Sequence, residues 1–319
     1  MASSTEPSKG PQGLLDTMPH LASIADGHGM DAMMEDVQKR GLQEELERLR
    51  DMHHVYYRAA GDKLTLAPVD LKTKGLKILD SATADGTWLQ DVRREAGEEV
   101  AKTQEYVGTD LVPELFPDPR PAWLQFHRQS ITAPWPEELK GRFDLVHQRQ
   151  VLGFCGDFPI DQAVANLAEL AKPGGWVELT ELSVDQSILD DTNPVGRKFF
   201  YMMEQLWTLK GMGGNFGEQL KGWLEQAGLE EVEETLLKCK VGAQARKGEE
   251  ESSINGACGA APMIIAMTKT LEGLQGFAPG ELDTLGERLQ QELRDVGGTF
   301  HVFAVRGRVP AGGLRPKHG

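Results

Sequence analysis

Short apolar runs that end in an acid or a small residue recur along the chain, and stretches with helical spacing separate them. Lys77-Ile78-Leu79-Asp80 is the first such run; the small-residue loop Ser81-Ala82-Thr83-Ala84-Asp85-Gly86 follows it, and Trp88-Leu89-Gln90-Asp91-Val92 resumes at helical spacing. Strand, small-residue turn and helix in that order open a βαβ unit. Further strands are expected at 105–110, 123–127, 143–147 and 175–181. A helix is expected at 161–171, stopped by Lys172-Pro173-Gly174-Gly175, because a basic last turn followed by Pro and Gly ends helices. Two longer strands, 229–241 and 299–309, flank a helical stretch over 254–295. Strands alternating with helices predict an α/β fold with a doubly wound, mostly parallel sheet and helices on both faces.

The ends of the chain read differently. Residues 1–30 mix Ser, Pro, Gly and Asp without apolar periodicity, which predicts a disordered leader. From Asp31 the spacing of Met34, Val37, Leu42, Leu46, Leu49 and Met52 predicts an amphipathic helix to about residue 58, with a break near Gly41. Such a helix needs a surface to cover, so residues 31–70 form a helical extension on a main domain spanning 71–309. The Gly- and Pro-containing segment 310–319 is a flexible tail, and the acidic run 248–251 is a solvated face.

Charge and cysteine usage exclude several function classes. The 319 residues carry a formal charge of −15, which disfavours a phosphate backbone as partner, so no nucleic acid is expected. Cys155, Cys239 and Cys258 are far apart and odd in number, which suits a reducing compartment better than a disulfide framework. Neither they nor the eight histidines show metal-ligand spacing, and the neighbours His53 and His54 point to different faces of one helix. No metal is expected. No apolar stretch approaches bilayer length and no secretory signal opens the chain, so a cytoplasmic protein without a membrane partner is expected.

In open parallel sheets, ligands bind beyond the carboxyl ends of the strands. Three such ends carry suitable residues. The loop after Asp80 has side chains small enough for the backbone to approach a ligand. Asp110 closes the next strand, where a carboxylate can accept hydrogen bonds from both hydroxyls of a ribose. Gln129-Ser130-Ile131 offers polar and apolar groups to a heterocycle. Neither G-x-G-x-x-G nor G-x-x-x-x-G-K-[ST] occurs, which sets nicotinamide and P-loop chemistry aside.

The segments ILDSATADG, GTDL, FDLVHQRQVL and LAKPGGWVELTEL, in that order, resemble the class I S-adenosylmethionine-dependent methyltransferases. The similarity is closest to the fungal LaeA-like methyltransferases of secondary metabolism. In that branch a helix carries Arg-Leu with a His five residues after the Arg, as Arg48, Leu49 and His53 do here, and residues 63–69 resemble the segment that follows. The resemblance covers residues 44–182 and implies a Rossmann-like, seven-stranded sheet with helical lid insertions. It implies S-adenosyl-L-methionine as cofactor, with Asp80, Ala82, Ala84 and Gly86 at its methionine part, Asp110 and Leu111 at its ribose, Ser130 and Ile131 at its adenine, and Gln148 nearby. It also implies that His147, Gln148 and Arg149 face cofactor and acceptor, with Arg149 toward the acceptor.

This chain departs from the family at the loop, which has Ala82 and Ala84 where glycine is usual, and at Ser130, where an acid is often found. An alanine forced to positive φ costs about 1 kcal/mol or more. The implied acceptor is a small, apolar molecule methylated on N, O or S, with Phe200, Met203 and Trp207 lining its site. His147 is the candidate catalytic base for a hydroxyl acceptor; its other reading is a hydrogen bond to the cofactor or at the strand end. The alternatives are a LaeA-like regulatory protein and a non-methylating isomerase or cyclase on the same fold.

Overall fold

The computed structural model describes residues 41–185 and 192–314. The leader, residues 31–40 of the expected first helix and residues 315–319 of the tail lie outside the described residues. Among the described residues seven strands form one sheet in the order β3-β2-β1-β4-β5-β7-β6. The strands are β1 Lys77–Ser81, β2 Glu105–Asp110, β3 Leu124–Arg128, β4 Phe143–Arg149, β5 Ala171–Leu182, β6 Glu230–Val241 and β7 Gly298–Arg308. The first five pair in parallel, and β7 runs antiparallel to both β5 and β6. Strand order reverses beside β1, between β2 and β4, so the carboxyl ends of these strands open the crevice where such folds hold ligands.

Successive strand residues point to opposite faces, and the core divides accordingly. Leu79, Val107, Val146 and Val177 face one layer, against α4 Ile160–Ala168 and α6 Phe216–Gln226. Ile78, Tyr106, Leu124 and Leu145 face the other, against Trp88, Leu89 and Val92 of α2 Thr87–Ala96, which the four-residue α3 Glu98–Ala101 follows. Burial on both faces is why these strands read as unbroken apolar runs. A further cluster joins β6 and β7 to α1 Leu42–Ala59, α5 Pro194–Leu209, α7 Glu250–Cys258, α8 Ala261–Lys269 and α9 Glu281–Val296.

Two expectations are corrected. The helix expected to reach residue 171 ends at Ala168, and Lys172-Pro173-Gly174-Gly175 lies inside β5. The strand makes room by a register shift opposite 143–145, and a Cβ on Gly175 would stand 2.6 Å from the Phe143 carbonyl oxygen. Backbone bonds of 2.9 Å from Gly174 N to Val309 O and from Val309 N to Gly175 O hold the turn onto the end of β7. The stretch 254–295 is three helices, because Pro262 opens α8 and Gly280 (φ +77) precedes α9.

The extension is bound tightly to the domain. Helix α1 crosses α7 at Gly256, where a Cβ would lie 2.6 Å from the Met52 nitrogen; only glycine permits that approach. Arg58 on α1 pairs with Glu249 at 2.7 Å, so the acidic run does more than meet solvent. Residues 63–69 are clasped from β5: the Glu178 carboxylate accepts hydrogen bonds from Thr65 Oγ1 (2.8 Å), Leu66 N (2.7 Å) and Ala67 N (2.7 Å). Three donors satisfy an otherwise costly buried acid.

Candidate functional site

A cavity of about 390 Å³ opens at the carboxyl ends of β1, β2 and β4 and extends beneath α1, α5 and α8. Ala82, Ala84, Asp110, Leu111, Ser130 and Ile131 line one end of it; Phe200, Met203 and Trp207 line the other. The structure thus brings together most of the side chains singled out in the sequence.

The loop after β1 keeps the left-handed backbone of a glycine loop on alanines, with φ of 55° at Ala82 and 49° at Ala84. Hydrogen bonds hold it there. Thr83 N donates to the Thr109 carbonyl at 2.9 Å, Thr83 Oγ1 to Asp80 at 2.8 Å, and Ala84 N to Asp110 Oδ2 at 2.9 Å. Gly86 (φ +79) precedes α2 and packs under Leu124 rather than on the cavity wall; a Cβ there would stand 2.8 Å from Leu124 Cδ2.

Asp110 also accepts a bond from Val112 N to Oδ1 at 3.0 Å. Burial pushes its carboxyl up to about 6, against the pull of these backbone donors. An ionised carboxylate has about four acceptor sites, so even with Leu111 N as a further backbone donor it keeps acceptor capacity for a ligand. Ser130 turns back on its own loop, its hydroxyl 2.9 Å from that of Thr132.

The group at the end of β4 splits. Asp80 Oδ1 lies 2.7 Å from His147 Nδ1, and the imidazole stacks on Trp88 with centroids 3.8 Å apart and planes 4° from parallel. Gln148 accepts a bond from Ser81 Oγ at 2.9 Å. Neither His147 nor Gln148 lines the cavity; Arg149 does. Of the two readings of His147, the geometry fits the hydrogen bond at the strand end.

Arg149 is fixed from α1. Its Nη2 lies 2.9 Å from His53 Nδ1, and His53 Nε2 lies 3.0 Å from Asp91 Oδ2. A guanidinium only donates, so His53 Nδ1 accepts and its Nε2–H donates to Asp91, which assigns the neutral tautomer. Burial lowers the pKa of His53 in the same sense. Arg50, also on α1, binds Asp85 of the loop at 2.7 Å. Here α1 both roofs the cavity and ties the loop down.

Sequence reasoning missed Gln150 and Glu181, which stand on the cavity wall. Gln150 follows β4 directly, with φ of 55° and an unpartnered side-chain Nε2 among the described residues. Glu181 near the end of β5 accepts Val151 N and Leu152 N on Oε1, both at 2.9 Å, while burial pushes its carboxyl up to about 7. Its signal was a second acid in the apolar run 177–182. Cys155 is a buried hydrophobe whose thiol is pushed up to about 12. Among the described residues no group of three or more His, Cys, Asp and Glu could hold a metal, and no helix is long and apolar enough to cross a membrane.

Comparison with known proteins gives the same direction. Residues 52–234 match the model of a methyltransferase domain. The methyltransferase psoC of Aspergillus fumigatus is 36% identical over 281 residues, which cover 88% of this chain and 99% of that protein. The N-methyltransferase tcpN of Claviceps purpurea is 34% identical over 284 residues, 88% of this chain and 99% of that one. The N-methyltransferase sirN of Leptosphaeria maculans is 37% identical over 275 residues, 84% and 92% of the two chains. With a matching domain over more than half its length and relatives aligned nearly end to end, this chain belongs to the methyltransferase family.

Proposed function

We propose that the chain moves a methyl group from S-adenosylmethionine to a nitrogen of a small, apolar acceptor. The observation that carries this reading is a continuous cavity with a polar, strand-end half and an apolar, helix-walled half. The names of two of the relatives, N-methyltransferases, support nitrogen as the methylated atom.

The donor set suits the cofactor. Asp110 keeps acceptor capacity for ribose hydroxyls, the loop presents only small side chains at Ala82 and Ala84, and Ser130 with Ile131 flanks the space for the adenine. When bound, S-adenosylmethionine supplies an electrophilic methyl on a positively charged sulfur. The protein then has to align the acceptor and exclude water. Phe200, Met203 and Trp207 do this through apolar contact, and Trp207 is braced edge-on against Phe216 at 4.8 Å. Asp80, held by His147 and Thr83, fixes the loop on which the methionine part rests.

Calorimetric titration of the purified chain with S-adenosylmethionine tests the reading. Saturable binding at one site is expected. Absence of binding by both S-adenosylmethionine and S-adenosylhomocysteine would overturn it.

A further inference from the structure

Methyl transfer to a nitrogen bearing hydrogen leaves one proton to be placed, and with His147 off the cavity wall that proton needs another acceptor. Glu181 has the geometry. It lies on the wall near the end of β5, and both its backbone donors, Val151 N and Leu152 N, bond to Oε1. Oε2 has no hydrogen-bond partner among the described residues, on a side chain that lines the cavity. Gln150 stands beside it, its N donating to the Thr180 carbonyl at 2.9 Å and its side-chain Nε2 unpartnered among the described residues. A non-glycine residue held at φ of 55° on a cavity wall is a strained feature of the kind that clusters at functional sites.

The groups around Glu181 do not neutralise it. Tyr56 comes from α1 and Cys155 from the segment after β4, and burial raises the pKa of each, so both are neutral near pH 7. Glu218 on α6 is engaged by the Ser183 hydroxyl, and Arg149 is turned to His53. Phe303 stands opposite Glu181 on β7, and Arg197 lines the cavity from α5.

We propose that Glu181 is the catalytic group that carries the proton of the reaction, a carboxylate while the positively charged methyl donor is bound and the acid once the acceptor has given up its proton. The step balances. The acceptor nitrogen uses its lone pair to bond the methyl carbon, the bond broken is S–CH3 with its electron pair left on sulfur, and the N–H proton passes to Glu181 Oε2. Burial already holds this carboxyl near the middle of its titration, at about 7, so the field of one nearby positive charge is enough to decide its state. Loss of that charge as sulfur becomes neutral favours the acid at the moment the proton arrives. The inference rests on the cofactor reading above.

The test needs no knowledge of the acceptor. S-adenosylmethionine and its neutral product S-adenosylhomocysteine are titrated calorimetrically into the full chain in buffers of different ionisation enthalpy, from about pH 5.5 to 7.5. Asp110 meets the same ribose in both ligands and cancels in the comparison. The charged ligand should release more protons than the neutral one, with the excess, less than one proton, passing from small above the Glu181 midpoint to larger at and below it. The ratio of their affinities should fall roughly tenfold for each pH unit below the Glu181 midpoint. Glu181→Gln, whose amide oxygen still accepts both backbone donors, should abolish the difference and leave S-adenosylhomocysteine binding within about threefold. Glu181→Asp should keep it with a shifted midpoint. Equal proton release by the two ligands in the wild type overturns the proposal, as does a difference that survives Glu181→Gln. If neither ligand binds, it is the cofactor reading that has failed.

Discussion

The two halves of the cavity are built by different means. The strand-end half is a set of loops held by named hydrogen bonds: Ala84 N and Val112 N on Asp110, Thr83 on Asp80, Arg50 on Asp85. The helix-walled half is held by packing, with Phe200, Met203 and Trp207 of α5 facing Met263 and Met267 of α8. Hydrogen-bonded loops place donors and acceptors to within a fraction of an ångström, which recognition of an unvarying cofactor demands. Methionine-rich walls adapt to the shape of an apolar ligand, which recognition of a variable acceptor allows. The division teaches that a substitution's consequences depend on which half it strikes.

The largest effect is expected at Asp110. On the proposed ribose reading, Asp110→Ala would remove bonds to two hydroxyls, worth roughly 1.5–3 kcal/mol each, so cofactor affinity should fall at least about a hundredfold by calorimetry. It also leaves Ala84 N and Val112 N without their acceptor, so the melting temperature should drop as well. Unchanged affinity in the folded variant would mean that this half is a structural cap and not a ribose site.

A smaller effect, of a different kind, is expected from Phe200→Ala. The side chain is half-buried on the cavity wall, and its removal should cost acceptor binding about 1.5–3 kcal/mol, seen as a raised KM with cofactor affinity intact. A large loss of melting temperature with unchanged kinetics would instead place Phe200 in the ordinary core. Trp207 is the poorer probe, since it packs on Phe216 and bridges three apolar clusters.

The smallest effect is at Ala84. With φ of 49°, Ala84→Gly relieves left-handed strain of about 1 kcal/mol, partly offset by the greater freedom of glycine in the unfolded chain. Thermal unfolding should show a gain of a few tenths of a kcal/mol up to about 1 kcal/mol. A loss of stability would show that the loop is not strained as its backbone implies.

What was legible in the sequence follows the same division. Apolar runs such as 77–80 and 143–147 mark buried parallel strands because both their faces are covered, and the loops after them are fixed by chain order. The strand-end loops that line the cavity could therefore be located from chain order. Glu178 and Glu181 sit three apart in one strand, yet one clasps residues 65–67 and the other faces the cavity. Alternation along the strand puts them on opposite faces, but what each face meets is not local, because their partners lie about 110 and 30 residues away. The roof was equally hidden: α1 and α7 meet at Gly256, across about 200 residues of chain. His147 is named with two roles open, and chain order could not tell that its ring turns to Asp80 and Trp88 instead of the cavity.

The account stands on the claim that the cofactor occupies the strand-end half alone, and amide hydrogen exchange with and without S-adenosylhomocysteine tests it most directly. Binding should slow exchange at 81–88, 110–112 and 129–132 and in the roof helix α1, with α5 and α8 unchanged. Slowing confined to α5 and α8, or none at 81–88 and 110–112 under saturating ligand, would contradict it.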